Sequence, residues 1–95
     1  MVKVMIERQC QPGKEAQLRG LLTELKSAAS EQTGYITGET LREVNNPLLF
    51  LIFSTWSSLD EWRAWEKSRQ RLLIEMDSLL TTQRKVRIFV LDYEG

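Results

Sequence analysis

Leu48–Ser68, LLFLIFSTWSSLDEWRAWEKS, decides how this chain folds. Leu48 to Phe53 are apolar at every position, the pattern of a strand covered on both faces. Ser58 and Glu61 then form an S-x-x-E capping box, which satisfies backbone donors where a helix starts. Beyond it, Leu59, Trp62 and Trp65 fall at successive i, i+3 steps and share one side of that helix. A buried strand running straight into a capped, tryptophan-bearing helix is the unit around which the remaining segments pack.

Upstream, Val2, Val4 and Ile6 alternate with Lys3, Met5 and Glu7, the period of a half-buried strand. Pro12-Gly13 breaks it. Leu18, Leu21, Leu22, Leu25, Ala28 and Ala29 then lie on one face of a helix that stops at Thr33-Gly34. A second strand is predicted over Tyr35–Val44, with Gly38 marking a bulge or a close backbone approach. Asn45-Asn46-Pro47 turns the chain into the Leu48–Phe53 strand. Leu72, Leu73, Met76, Leu79 and Leu80 form a second apolar helical pattern, continuing the tryptophan helix or following a bend near Lys67–Arg71. Thr81-Thr82-Gln83 is a loop and Val86–Leu91 the last strand.

The order is βαββαβ, so the fold class is α+β: a ferredoxin-like, four-stranded antiparallel sheet with helices on one face. The 95 residues form a single domain, 1–95. Two helices cover only one side of such a sheet, whereas the third and fourth strands read as apolar on both. The uncovered side, with Leu49, Leu51, Ile88 and Val90, is therefore expected to pair with a second copy as a homodimer.

Lys+Arg and Asp+Glu both number 13, so the balanced charge offers no footprint for nucleic acid or an anionic membrane. No apolar run reaches the roughly 20 residues of a membrane span, and Lys3 interrupts any signal-like start. The expected location is cytoplasmic. Cys10 is the only cysteine, which excludes an internal disulfide, a paired-cysteine metal site and a Cys-His dyad. Histidine is absent, and with it the commonest general base and metal ligand.

Pro12-Gly13-Lys14 after the first strand, Gly34-Tyr35 opening the second, and Phe53-Ser54-Thr55-Trp56-Ser57-Ser58 leading into Trp62-Arg63-Ala64-Trp65 together resemble the antibiotic biosynthesis monooxygenase domain. The resemblance covers nearly the whole chain. It implies a dimeric α+β barrel with a hydrophobic pocket in each protomer, between helices and sheet. It also implies oxygenation of small electron-rich aromatics, quinols and anthrones, by molecular oxygen without metal, flavin or other cofactor. Other members of the family degrade haem, and that branch pairs a first-strand asparagine with a helix tryptophan and an axial histidine. Trp65 matches the tryptophan, but Glu7 falls at the asparagine and Glu75 near the histidine, so haem degradation does not fit.

Seen this way, Trp65 and Glu7 are the candidate catalytic residues, with Tyr35, Arg42, Trp62 and Glu75 as candidate substrate contacts. Trp65 and Trp62 either wall a ligand or close the helix against the sheet. Glu7, in an apolar pocket, would accept a phenolic proton; on a wet face it would pair with Arg8 or Arg87 instead. Glu75 has the same two readings. Arg42 either stabilises an oxyanion or is a strand-surface charge, and Tyr35 either donates to a ligand or packs under the first helix. The alternative function is a non-catalytic dimeric module that binds a small hydrophobic molecule.

Overall fold

The structure, a computed structural model, describes residues 1–92. Its elements are β1 (Val2–Gln9), α1 (Glu15–Ala29), β2 (Tyr35–Glu43), β3 (Asn46–Trp56), α2 (Leu59–Ser68), α3 (Gln70–Asp77) and β4 (Lys85–Val90). The four strands make one antiparallel sheet in the order β2-β3-β1-β4. This is the ferredoxin-like βαββαβ arrangement, with its second helix divided in two. No helix among the described residues is long and apolar enough to cross a membrane.

The core follows the strand and helix periods. Val2, Val4, Ile6, Arg8 and Cys10 point under the helices, and Leu18, Leu22 and Ala29 of α1 close over the sheet. The buried apolar residues fall into two clusters. One gathers Val2, Val4, Ile6, Ala29 and all three tryptophans; the other gathers Cys10, Leu18, Leu22, Phe50 and Met76 with Leu79 and Leu80. Arg8 occupies the β1 position between them.

β3 runs three residues past the apolar stretch to Trp56, because Ser54, Thr55 and Trp56 pair with Val4, Lys3 and Val2. Its turn from β2 is tight, spanning only Val44-Asn45. The N-cap half of the capping box forms: Ser58 Oγ accepts from the Glu61 backbone N–H at 3.2 Å, while the Glu61 carboxylate accepts from the hydroxyls of Ser58 and Ser57 instead of the Ser58 backbone N–H. Gly34, at φ +90°, lies against that carboxylate, where a Cβ would stand 2.4 Å from the Glu61 carboxyl carbon.

The helical break falls at Arg69, whose φ of −120° and ψ of 31° leave the α region. With the Arg69 backbone N–H turned to Glu66 O at 3.2 Å, Trp65 O accepts from Ser68 Oγ at 2.7 Å, and Gln70 Nε2 adds a second donor to Glu66 O at 3.1 Å. The break lets α2 bury its tryptophans while α3, turned separately, buries Leu73 and Met76.

Two sequence expectations need correction. Ile88 and Val90 do not lie on the open sheet face, because the register sets them beside Val4 and Val2 on the helix side. The open face instead carries Met5, Leu41, Leu49, Leu51, Phe53 and Phe89, interspersed with Lys3, Glu7, Glu39, Lys85 and Arg87. Of the two readings of Gly38 the bulge fails, since the register shifts fall at Tyr35/Thr37 and Arg42/Glu43, while the close backbone approach holds, at Phe53 O. A Cβ at Gly38 would sit 2.8 Å from the Tyr35 hydroxyl and 3.1 Å from Phe53 O, so this glycine makes room for the tyrosine ring.

Candidate functional site

Where the helices arch over β1, β2 and β3, they leave a cleft walled by Leu22, Leu25 and Ala29 of α1, Trp62 and Trp65 of α2, and Ile6, Ile52 and Trp56 of the sheet. Its cavity volume is about 60 Å³, well below the roughly 300–1,000 Å³ of typical small-ligand pockets, so an aromatic ring enters only as the lining side chains move apart. Exposed Lys26 is among the lining residues, as is Glu39, whose side chain the sheet register sends to the open face.

The wall is aromatic because two local structures converge. Helical spacing puts Trp62 and Trp65 on one side of α2, and both are almost fully buried. The end of β3 supplies Trp56, whose ring stacks near that of Trp65 with centroids 6.2 Å apart and an interplanar angle of 29°. Tyr35 meets Trp56 edge-on at 5.4 Å. Trp56 Nε1 donates to Ser54 Oγ at 3.1 Å, which satisfies its indole inside the core. Burial pushes the Tyr35 hydroxyl above its ordinary pKa, so at neutral pH it remains a proton donor.

Arg8 is the charged residue of this interior. It is 0 % exposed, lines the cleft, and its Nε, Nη1 and Nη2 make no hydrogen bond to any described residue. Its pKa is lowered to about 10, chiefly by burial and then by Arg84, against the opposing pull of Asp77 and Glu66. Arg84 is held by Glu66 at 3.1 Å, and Arg69 lies over the Trp65 ring at 4.9 Å. Arg8 also lines a narrow side cleft with Arg69, Arg84 and Glu66.

The structure brings together three of the residues singled out from sequence: Trp65, Trp62 and Tyr35 share the cleft. It does not bring the other three there. Glu7 points to the open face of the sheet, where it pairs with Lys85 at 3.7 Å rather than with Arg8 or Arg87. The reason is strand parity: Val2, Val4 and Ile6 face inward, so Arg8 follows them and Glu7 cannot. Arg42 is exposed beyond the cleft on β2, and Glu75 lies on the outer surface of α3 beside Arg71. Sequence reasoning missed Arg8 and Trp56. The first was signalled by the same alternation that defined β1. The second reads in sequence as packing or interface at the strand end, and only the tertiary arrangement makes it a cleft wall.

A family model described as antibiotic biosynthesis monooxygenase matches residues 1–72. No curated protein matches the sequence. Among solved structures, Rv0793 from Mycobacterium tuberculosis is 17% identical with a TM-score of 0.89, over 99% of this chain and 97% of that one. A conserved protein from Methanosarcina mazei Go1 is likewise 17% identical, with a TM-score of 0.88 over 93% of this chain and 89% of its own. SnoaB, a cofactor-independent oxygenase from Streptomyces nogalater, is 15% identical with a TM-score of 0.81, over 98% and 95% of the two chains. At such identities the structural likeness establishes the fold. The family match, over most of the chain and carrying the strand, capping box and tryptophan helix that wall the cleft, settles kinship: this chain belongs to the antibiotic biosynthesis monooxygenase family.

Proposed function

We propose that the chain is a cofactor-independent monooxygenase acting on a small phenol- or quinol-type aromatic in the cleft between helices and sheet. The observation that carries this reading is an aromatic-walled cleft, formed by Trp56, Trp62 and Trp65, in a member of this family. The chemistry closes without a metal or flavin. An ionised phenol passes electrons to dioxygen directly; one oxygen atom enters the ring at a C–H carbon, giving a quinone. The other leaves as water with the two hydrogens that the substrate loses. The protein's part is to stack the ring on Trp62 and Trp65, offer the Tyr35 hydroxyl as a donor and keep bulk water away.

The functional unit is a homodimer formed through the open sheet face. Leu41 and Phe89 are 43% and 48% exposed there, beside half-buried Leu49, Leu51 and Phe53, and no helix covers them.

Oxygen uptake by metal-stripped protein across a panel of quinols, catechols and anthrones tests the activity. Saturable uptake that falls in a folded Trp65→Phe variant supports it. Uptake no faster than autoxidation across the panel favours the second reading, a dimeric module that binds a small apolar molecule without transforming it. One observation favours that alternative: neither Glu7 nor Glu75 lines the cleft, so neither supplies it with a carboxylate base.

A further inference from the structure

Arg8 is the only fully buried charged residue among those described, and stacking a neutral ring on tryptophans gives it nothing to do. We propose that Arg8 is the anion-binding group of the cleft, and that the natural ligand is a flat aromatic bearing one anionic oxygen group, an ionised hydroxyl or a carboxylate. This deepens the reading of the cleft as a substrate site, but it does not depend on oxygenation.

Three observations carry it. First, a guanidinium with three buried nitrogens and no protein acceptor is costly to keep, whereas a methionine or leucine would fill the same place on β1 at no such cost. Second, the neighbouring charges do not neutralise it. Glu66 is engaged by Arg84, Asp77 is exposed, and Arg69 adds a further cation beside Trp65, with its Nε also buried and unpartnered. The interior is therefore net positive. Third, Arg8 is among the residues lining the cleft that the aromatic rings wall, its nitrogens sealed behind that lining, so an acidic oxygen on a ring held by Trp62 and Trp65 would complement it once the walls part. Arginine's planar fork meets two oxygens of a carboxylate, or one phenolate oxygen, with charge-assisted bonds. In a water-poor cleft the same cation favours the ionised form of a bound phenol, preparing it to give up an electron.

The test uses 4-nitrophenol, whose phenol and phenolate forms absorb at different wavelengths, and benzoate as a carboxylate competitor. With the wild-type full chain, the apparent pKa of bound 4-nitrophenol should fall by at least one unit, a tenfold gain in ionisation constant. Arg8→Met should abolish that fall, and Arg8→Lys, which keeps the charge, should restore part of it. Displacement of the phenolate by benzoate, lost in Arg8→Met, extends the ligand class to carboxylates; displacement failing while the pKa fall remains restricts it to phenols. The proposal is overturned if bound 4-nitrophenol keeps or raises its solution pKa, if the fall survives Arg8→Met in a variant with wild-type circular dichroism, or if neither compound binds the wild type at millimolar concentration. Neither readout consumes oxygen. A pKa fall that is lost in Arg8→Met, with uptake no faster than autoxidation across the quinol, catechol and anthrone panel, would sink the oxygenase reading alone; saturable uptake on that panel with bound 4-nitrophenol keeping its solution pKa would sink this one alone.

Discussion

Replacing Arg8 with methionine should make the protein more stable. Arg8 is 0 % exposed, and its pKa is lowered to about 10 mainly because burial disfavours the charged form. Relative to an ordinary guanidinium, that drop corresponds to about 3 kcal/mol of penalty on the cation, at about 1.36 kcal/mol per pKa unit. Methionine keeps most of the aliphatic stem and removes the charge. Enlarging the cleft by the lost guanidinium gives back part of the gain, so a net stabilisation of about 1–3 kcal/mol is expected. The pH dependence has a definite sign. The folded state holds this proton more weakly than the unfolded chain, so the penalty is complete below about pH 10. It fades as pH rises through that value, and the gap between variant and wild type should narrow there. Urea denaturation followed by tryptophan fluorescence, at matched protein concentration and several pH values, measures both effects. An Arg8→Met protein less stable than wild type at pH 7, with a gap indifferent to alkaline pH, would mean that Arg8 is satisfied inside the fold. The reasoning about an unpartnered cation would then fail.

Other expectations follow from single contacts. Ser58→Ala removes the hydroxyl that caps α2 and should cost about 1 kcal/mol in urea denaturation. The hydroxyls of Ser57 and Ser58 hold the Glu61 carboxyl below the usual carboxylate range. Their contribution is present above the ordinary pKa and lost as pH falls through the folded one, so wild type and Glu61→Gln should converge in stability in acid. Gly38→Ala places a Cβ 2.8 Å from the Tyr35 hydroxyl and 3.1 Å from Phe53 O. Expelling the ring should cost about 1–3 kcal/mol and change near-UV dichroism, because Tyr35 packs on Trp56. Leu51→Glu sets a second carboxylate directly opposite Glu7 on the open sheet face. Light scattering should report a dimer for wild type and a monomer for this variant; a monomeric wild type at tens of micromolar would remove the sheet-to-sheet dimer.

The fold was legible where one local signal dominated. S-x-x-E spacing marked the start of α2, and the helical period of Leu18, Leu22 and Ala29 marked the buried face of α1. Trp62 and Trp65 were found together because i, i+3 spacing needs no tertiary knowledge. What was missed depended on parity carried across elements. Glu7 was drawn to the interior by its match to a polar family position, although Val2, Val4 and Ile6 had already assigned the inward face to Arg8. Ile88 and Val90 look like open-face residues in isolation, and only their pairing with Val4 and Val2 turns them toward the helices. A bend near Lys67–Arg71 is one of two readings the sequence leaves open, and neither shows its consequence, which is to lay the Arg69 guanidinium over Trp65. The positive surroundings of Arg8, beside the cleft, are assembled from β1, the α2–α3 break and the approach to β4, three places far apart in sequence. No single window of residues displays them.

The most direct test of the oxygenase account is isotopic. Metal-stripped protein would be run under ¹⁸O₂ with the best quinol or anthrone from the uptake panel, and the product weighed by mass spectrometry beside an Ala29→Met variant that narrows the cleft. The account predicts one labelled oxygen atom per product molecule, formed far faster than in protein-free buffer and suppressed by Ala29→Met. Labelled product forming no faster than in the blank, or equally fast with the cleft narrowed, would contradict it.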